Sequence, residues 1–271
     1  MLRISFLFVL LVTAACVPQD NASTTPSPAA SRATVPNISD ASCQGRSSGN
    51  CTFINSPVRL GSKQINLPGR KFPFFETQNN LDFIDATNQK WAAPASTLTD
   101  GASIPPVFVK VIGDPKSREF INAATIHDAY CGVGNENGAY FNAAPWPKVH
   151  RMFYDALRVG GTPKIKAKIM YAAVYMGGPR WNGARRPQVS RSAITFSSKS
   201  IPNPQNKNLL QRGVPASVMV AEMQRVKSYI EKTDPSIGDL ERHLRIRESD
   251  IERTMTTKVI TVEEEQEHGS H

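Results

Sequence analysis

Beyond its first residues the chain has no run that approaches the ~20 consecutive apolar residues a membrane-spanning helix requires. Any membrane attachment therefore has to come from something other than an apolar helical span. It also lacks an aromatic-interleaved basic stripe and any recognised nucleic-acid motif, which argues against nucleic acid as a partner. No internal repeat is visible, and no pair of metal-ligating residues falls at the spacing of an established zinc motif. Cysteine is scarce, with four residues in 271, so each one has to be accounted for individually.

What is present begins with an address. Arg3 supplies a positive start, Ile4 to Val12 form a short apolar stretch, and Thr13-Ala14-Ala15 lead into Cys16. This pattern resembles a bacterial lipoprotein signal over residues 1–15. It implies cleavage before Cys16 and lipid on that cysteine. The expected location is the bacterial cell envelope, on the periplasmic or extracellular face; ordinary secretory cleavage nearby is the alternative. Residues 16–42 are rich in Ser, Thr, Pro, Ala and Asn, a composition that cannot bury enough surface to offset its ordering entropy, so a flexible tether is expected. Export permits disulfides. Cys43 and Cys51 bracket a short Gly/Ser loop and are the favoured pair, leaving Cys131 free; a bond from Cys131 to either is the alternative.

The remaining chain is long enough for one sizeable core with appendages. Hydrophobic residues make up 40% of the sequence, which places it among globular proteins, and the formal net charge is +9. Outside the cytoplasm such a basic surface suits anionic lipid headgroups or cell-wall polymer, with simple solubility the plainer reading. The charge is uneven, with Glu263-Glu264-Glu265-Gln266-Glu267 acidic and Arg180, Arg185, Arg186, Arg191 and Lys199 basic.

The pattern along the chain predicts an α+β fold: a small antiparallel sheet, then a three-helix core, then C-terminal helices. Phe72–Glu76, Leu81–Ile84 and Lys90–Ala95 read as short strands, with a hairpin turn at Asp85-Ala86-Thr87-Asn88. A first helix is predicted from an Asp114-Pro115 cap, with Phe120, Ala124, His127 and Cys131 on one face. A second starts near Trp146-Pro147 and stops at Gly160-Gly161. A third follows Thr162-Pro163 and stops at Gly177-Gly178. The core domain is expected over residues 43–182 and a basic irregular loop over 183–213. Residues 214–271 are expected to hold a helical region with an acidic tail, either packed on the core or free as a partner-binding arm.

Two segments carry chemistry. Ala124 to Cys131 places His127, Asp128, Tyr130 and Cys131 at one helix end, and Thr99 to Pro105 forms a turn bearing Asp100. A histidine base with carboxylates nearby fits hydrolysis, and His127, Asp128, Asp100 and Tyr130 are the candidate catalytic residues. His127 and Cys131, at i and i+4, share a helix face and can ligate one metal. His150, across a helical hairpin, and Asp128 complete a candidate metal set. Each group also has a plainer reading: His127 and Asp128 as helix-end residues favourable to the dipole, and the Asp100 turn as a way out of the sheet. The expectation is that His127, Asp128 and Asp100 converge in one cleft, with His150 or Tyr130 at its edge.

The Thr-Asp-Gly-Ala-Ser-Ile-Pro turn, His127-Asp128 with Tyr130, the helix around Phe153, and Gly177-Gly178 with Trp181 together resemble a family of phage and bacterial proteins of unknown function, over roughly residues 70–182. A looser likeness is to phospholipases of the A-two type. That likeness implies His127 activating water, Asp128 binding calcium and a Gly-containing loop adding carbonyl ligands. His150 stands where the second helix of those enzymes offers a carboxylate, with Asp155 one turn further, and no Gly-rich calcium loop flanked by cysteines is evident. The cofactor expectation is thus a divalent metal, calcium or zinc. Two functions compete: an envelope-anchored His-Asp hydrolase on lipid or cell-wall substrate, and a non-catalytic lipoprotein scaffold whose C-terminal helices bind an envelope or phage component.

Overall fold

Asp85 closes the first hairpin. In the computed structural model its carboxylate accepts hydrogen bonds from the Thr87 N–H and hydroxyl, the Gln89 N–H and Trp91 Nε1, while Asn88 takes a left-handed φ of 61°. The structure describes residues 41–45, 50–70, 72–101, 104–112, 118–182 and 207–268. The predicted Asp114-Pro115 cap, the lipidation residue Cys16, the tether as far as residue 40 and most of the basic loop lie outside them.

The hairpin joins β3 (Leu81–Ile84) to β4 (Lys90–Ala93), and β1 (Thr52–Ile54) pairs antiparallel on the other side of β3. The register sets Leu81 opposite Ala93 and Phe83 opposite Trp91. All four are buried, as the two-residue period of a strand demands of one face. A second, two-stranded sheet pairs β2 (Phe75–Glu76) with β5 (Leu98–Thr99). After a short helical turn, α1 (Val109–Ile112), comes the three-helix core. Its members are α2 (Arg118–Cys131), α3 (Trp146–Gly160) and α4 (Lys164–Gly177).

Helix α2 lies between the sheets and α3, and is buried on nearly every side from Phe120 to Cys131. That is why its polar members His127 and Asp128 find their partners inside the protein. Helix α3 ends at Gly161, which adopts φ 100° and returns its N–H to the Leu157 and Arg158 carbonyls. After α4 the chain leaves through Gly178, where an added Cβ would stand 2.3 Å from the Val174 carbonyl and 3.2 Å from His150 Nε2. A side chain here would collide with the Val174 carbonyl and crowd the histidine.

The C-terminal region forms a helical hairpin, α5 (Ala216–Thr233) and α6 (Ile237–His268). Its stripes, Met219, Met223, Val226 and Ile230, then Ile237, Leu240, Leu244 and Ile251, are buried in the same core as α2 to α4. Ile246 is 54% exposed. Two positions past Leu244 it points about 200° away around the helix. Among the described residues no helix is long and apolar enough to cross a membrane.

At the N-terminal edge, Cys43 and Cys51 form a disulfide and Cys131 is free. This edge is fastened to one face of α3. Arg151 donates to the Ala41 carbonyl, the Cys43 N–H to Asp155, and Arg158 to the Gln44 carbonyl, at 2.7 to 2.9 Å.

Candidate functional site

The last two turns of α2 face the first turn of α3, and this brings His127 against His150. Their Nε2 and Nδ1 atoms are 3.0 Å apart. His150 Nε2 lies 3.1 Å from the Pro179 carbonyl. A carbonyl only accepts, so His150 carries its proton on Nε2 and presents a lone pair at Nδ1; His127 Nε2–H donates to it. Burial pushes His127 down to about 3 and His150 well below its ordinary value, so both rings are neutral at neutral pH. Phe153, Trp146 and Trp181 pack around the two rings at centroid distances of 5.0 to 6.2 Å.

One turn after His127, Cys131 places Sγ 3.5 Å from Nε2 and 3.6 Å from Nδ1 of that ring, and 3.4 Å from the His127 carbonyl. Burial, and then the nearby Asp128 carboxylate, push the thiol well above its ordinary value. At neutral pH it is a thiol.

Asp128 diverges from His127 around the helix, as adjacent residues must, and turns to the second sheet. Its Oδ2 accepts the Thr99 hydroxyl at 2.7 Å, and Thr99 Oγ1 accepts the Gly101 N–H at 3.0 Å. Gly101 has φ 79°, which turns the chain out of β5 and carries Asp100 with it. Asn135, in the loop after α2, donates to the Asp128 and Leu98 carbonyls and accepts the Leu98 N–H. The end of α2 and the end of β5 are thus fixed to each other on both sides of Asp128.

These groups line one cleft of about 600 Å³. Asp100, His127, Asp128 and Cys131 are on it, joined by Glu136 and Arg70, and Phe74, Ile104, Pro105, Phe141 and Leu210 make apolar walls. His150 lies directly behind His127. Tyr130 does not line the cleft: its hydroxyl is 3.4 Å from the Ala92 N–H, its ring meets the edge of Trp91 and stands by Tyr140, and burial pushes it up to about 12. Three residues on from His127 on a helix, it faces the sheet instead.

Sequence reasoning did not identify Thr99 as the holder of Asp128, nor Asn135, nor the Pro179 carbonyl that orients His150. Thr99 stood next to Asp100 in the turn already singled out. For a backbone carbonyl no side chain gives a signal.

A second cavity, about 560 Å³, lies among the β3–β4 hairpin, α3, α4 and α6. Its carboxylates are committed to the fold: Asp85 closes the hairpin, Asp155 accepts the Cys43 N–H, and Glu241 is held by Arg151 and Tyr171. The chemistry therefore concentrates in the first cleft.

Residues 75–174 match a family described as protein of unknown function (DUF1353). The chain is also similar to uncharacterized protein y4iH of Sinorhizobium fredii, 39% identical over 102 residues, which cover 38% of this chain and 39% of the relative. It is also similar to uncharacterized protein y4jT of the same organism, 38% identical over 109 residues, covering 40% of this chain and 30% of the relative. The chain thus spans well under half the length of these relatives. No solved structure matches it. The matched segment contains Asp100, His127, Asp128, Cys131 and His150.

Proposed function

We propose that the segment shared with this family of unknown function is a hydrolytic unit, carried here as a lipoprotein of the bacterial cell envelope. One observation carries the reading: two separate stretches of chain, the turn after β5 and the end of α2, bring Asp100, His127, Asp128 and Cys131 to one cleft. Hydrolysis needs activated water, a group to take its proton, and walls that exclude bulk solvent. In this reading His127, on the cleft, serves the first two, with Asp128, held by Thr99, and Asp100 beside it, and the apolar walls serve the third. The substrate class is an ester or amide of an envelope lipid or cell-wall molecule. The Thr-Ala-Ala-Cys end of the leading apolar stretch supports lipid attachment at Cys16, and the net charge of +9 supports attraction to anionic lipid or cell-wall polymer.

The scaffold alternative places its partner on α5 and α6, but the stripe from Met219 to Ile230 and the residues Ile237, Leu240, Leu244 and Ile251 are buried in the core. The two readings part at His127. His127→Ala should lower turnover of phospholipid vesicles or purified peptidoglycan by about 100-fold or more, with far-ultraviolet circular dichroism unchanged. A wild-type chain that hydrolyses neither would remove the enzyme and leave the scaffold.

A further inference from the structure

We infer that His127, Cys131 and His150 form a tetrahedral site for one zinc-class divalent ion at the floor of the cleft. Its role as water activator rests on the hydrolytic reading above; the site itself rests on geometry. One ligand atom from each residue can be chosen so that all lie within 4.8 Å of one another. Zinc bonds of ~2.05 Å to imidazole nitrogen and ~2.3 Å to thiolate sulfur, at tetrahedral angles, imply edges of ~3.3 Å between nitrogens and ~3.6 Å from nitrogen to sulfur. The observed His127 Nε2 to His150 Nδ1 and His127 Nε2 to Cys131 Sγ separations are 3.0 and 3.5 Å. Two of the three edges are thus within a few tenths of an ångström of a chelate before any ion enters, and the Cys131 to His150 edge lies within 4.8 Å.

The surroundings fit the same reading. A metal-bound histidine usually gives its other ring N–H to a carbonyl or carboxylate, which fixes its tautomer. The Pro179 carbonyl does this for His150, leaving Nδ1 for the ion. The ligands stand on two packed helices, inside a shell of Phe153, Trp146 and Trp181. The donor set also selects the ion. Two imidazoles and a thiolate suit zinc, whereas calcium takes six to eight oxygens, which this trio does not offer. His127 and Cys131 line the cleft and His150 lies behind, so the ion's uncovered side faces the cleft, where Asp128 and Asp100 stand. Three protein ligands with one open position is the pattern of catalytic zinc sites, while structural sites are closed by four.

Binding balances as follows. The proton on His127 Nε2 shifts to Nδ1, the Cys131 thiol proton leaves to solvent, and the ion takes Nε2, Sγ and His150 Nδ1. One proton is released per ion.

The test uses the full chain carrying Cys16→Ser, purified under reductant and titrated with zinc and with cobalt(II). About one zinc per chain is expected, with about one proton released and a cobalt derivative showing a near-ultraviolet thiolate band. Cys131→Ser should abolish that band and weaken zinc binding by about 100-fold, and His150→Ala should weaken it similarly. Zinc held equally well by both variants, or none held by the parent chain, overturns the site. The outcomes separate the two proposals. Stoichiometric zinc without hydrolysis keeps the site and removes the hydrolytic reading. Hydrolysis untouched by chelation keeps the cleft and removes the ion.

Discussion

Asp155 stands on α3 one turn after Arg151, 3% exposed, with its Oδ1 accepting the Cys43 N–H at 2.9 Å. Desolvation outweighs that bond and pushes the carboxyl up to about 6, from an ordinary value of 3.8. In that window the folded chain holds a proton that the unfolded chain releases. Stability from this group is fully present below about pH 4 and lost as pH rises through about 6, an effect of about 3 kcal/mol. Urea unfolding of the parent chain should show this fall, and Asp155→Asn should lack it; equal slopes in the two proteins would mean the carboxyl is ionised in the fold. At this scale the sequence showed part of the site. His127 and Cys131 share a helix face by spacing alone, and His150 could be placed opposite because two helices joined by one loop pack antiparallel. The Thr99 hydroxyl and Pro179 carbonyl could not be read, because their roles depend on where the chain passes and not on reactive side-chain type.

Among the elements, α3 and α4 were legible to within a residue or two, because Pro145, Pro147 and Pro163 mark their starts and paired glycines their ends. Strand β2 forms the end of the predicted Phe72–Glu76 run, but β5, two residues long, was not legible: so short a strand has no period of its own and exists only through its partner. The joint between α5 and α6 is a further case. Lys168 on α4 is buried, its pKa lowered by desolvation, and its ammonium reaches Asp234 and the Pro235 carbonyl in that turn. Asp234 is half-exposed and also meets Lys164. The two ends of this pair should therefore respond unequally. Asp234→Asn leaves a buried ammonium without its counter-charge and should cost about 3 kcal/mol. Lys168→Met leaves a carboxylate that still has Lys164 and water, and should cost about 1 kcal/mol. Urea unfolding of both variants checks the order, and a larger loss in Lys168→Met would show that the link itself, not the stranded charge, matters most.

For the whole molecule, the α+β order of sheet, three helices and C-terminal helices was legible because hydrophobic period changes along the chain. That α5 and α6 pack on the core was an open choice, since a buried stripe and a docking stripe look alike in sequence. The proposed address makes a prediction of its own: Cys16→Ser should move the protein out of the membrane fraction and remove any lipid-shifted mass, and unchanged membrane association would end the lipoprotein proposal. The fastening of the N-terminal edge has a mechanical consequence. Ala41, Cys43 and Gln44 are all held by α3, through Arg151, Asp155 and Arg158, and α3 also carries His150. A pull along the leading segment would enter the domain at these bonds and run into the helix that backs His127. Tension on that segment would thus reach the helix behind the cleft floor and, through the Cys43–Cys51 disulfide, the start of β1 at the same time.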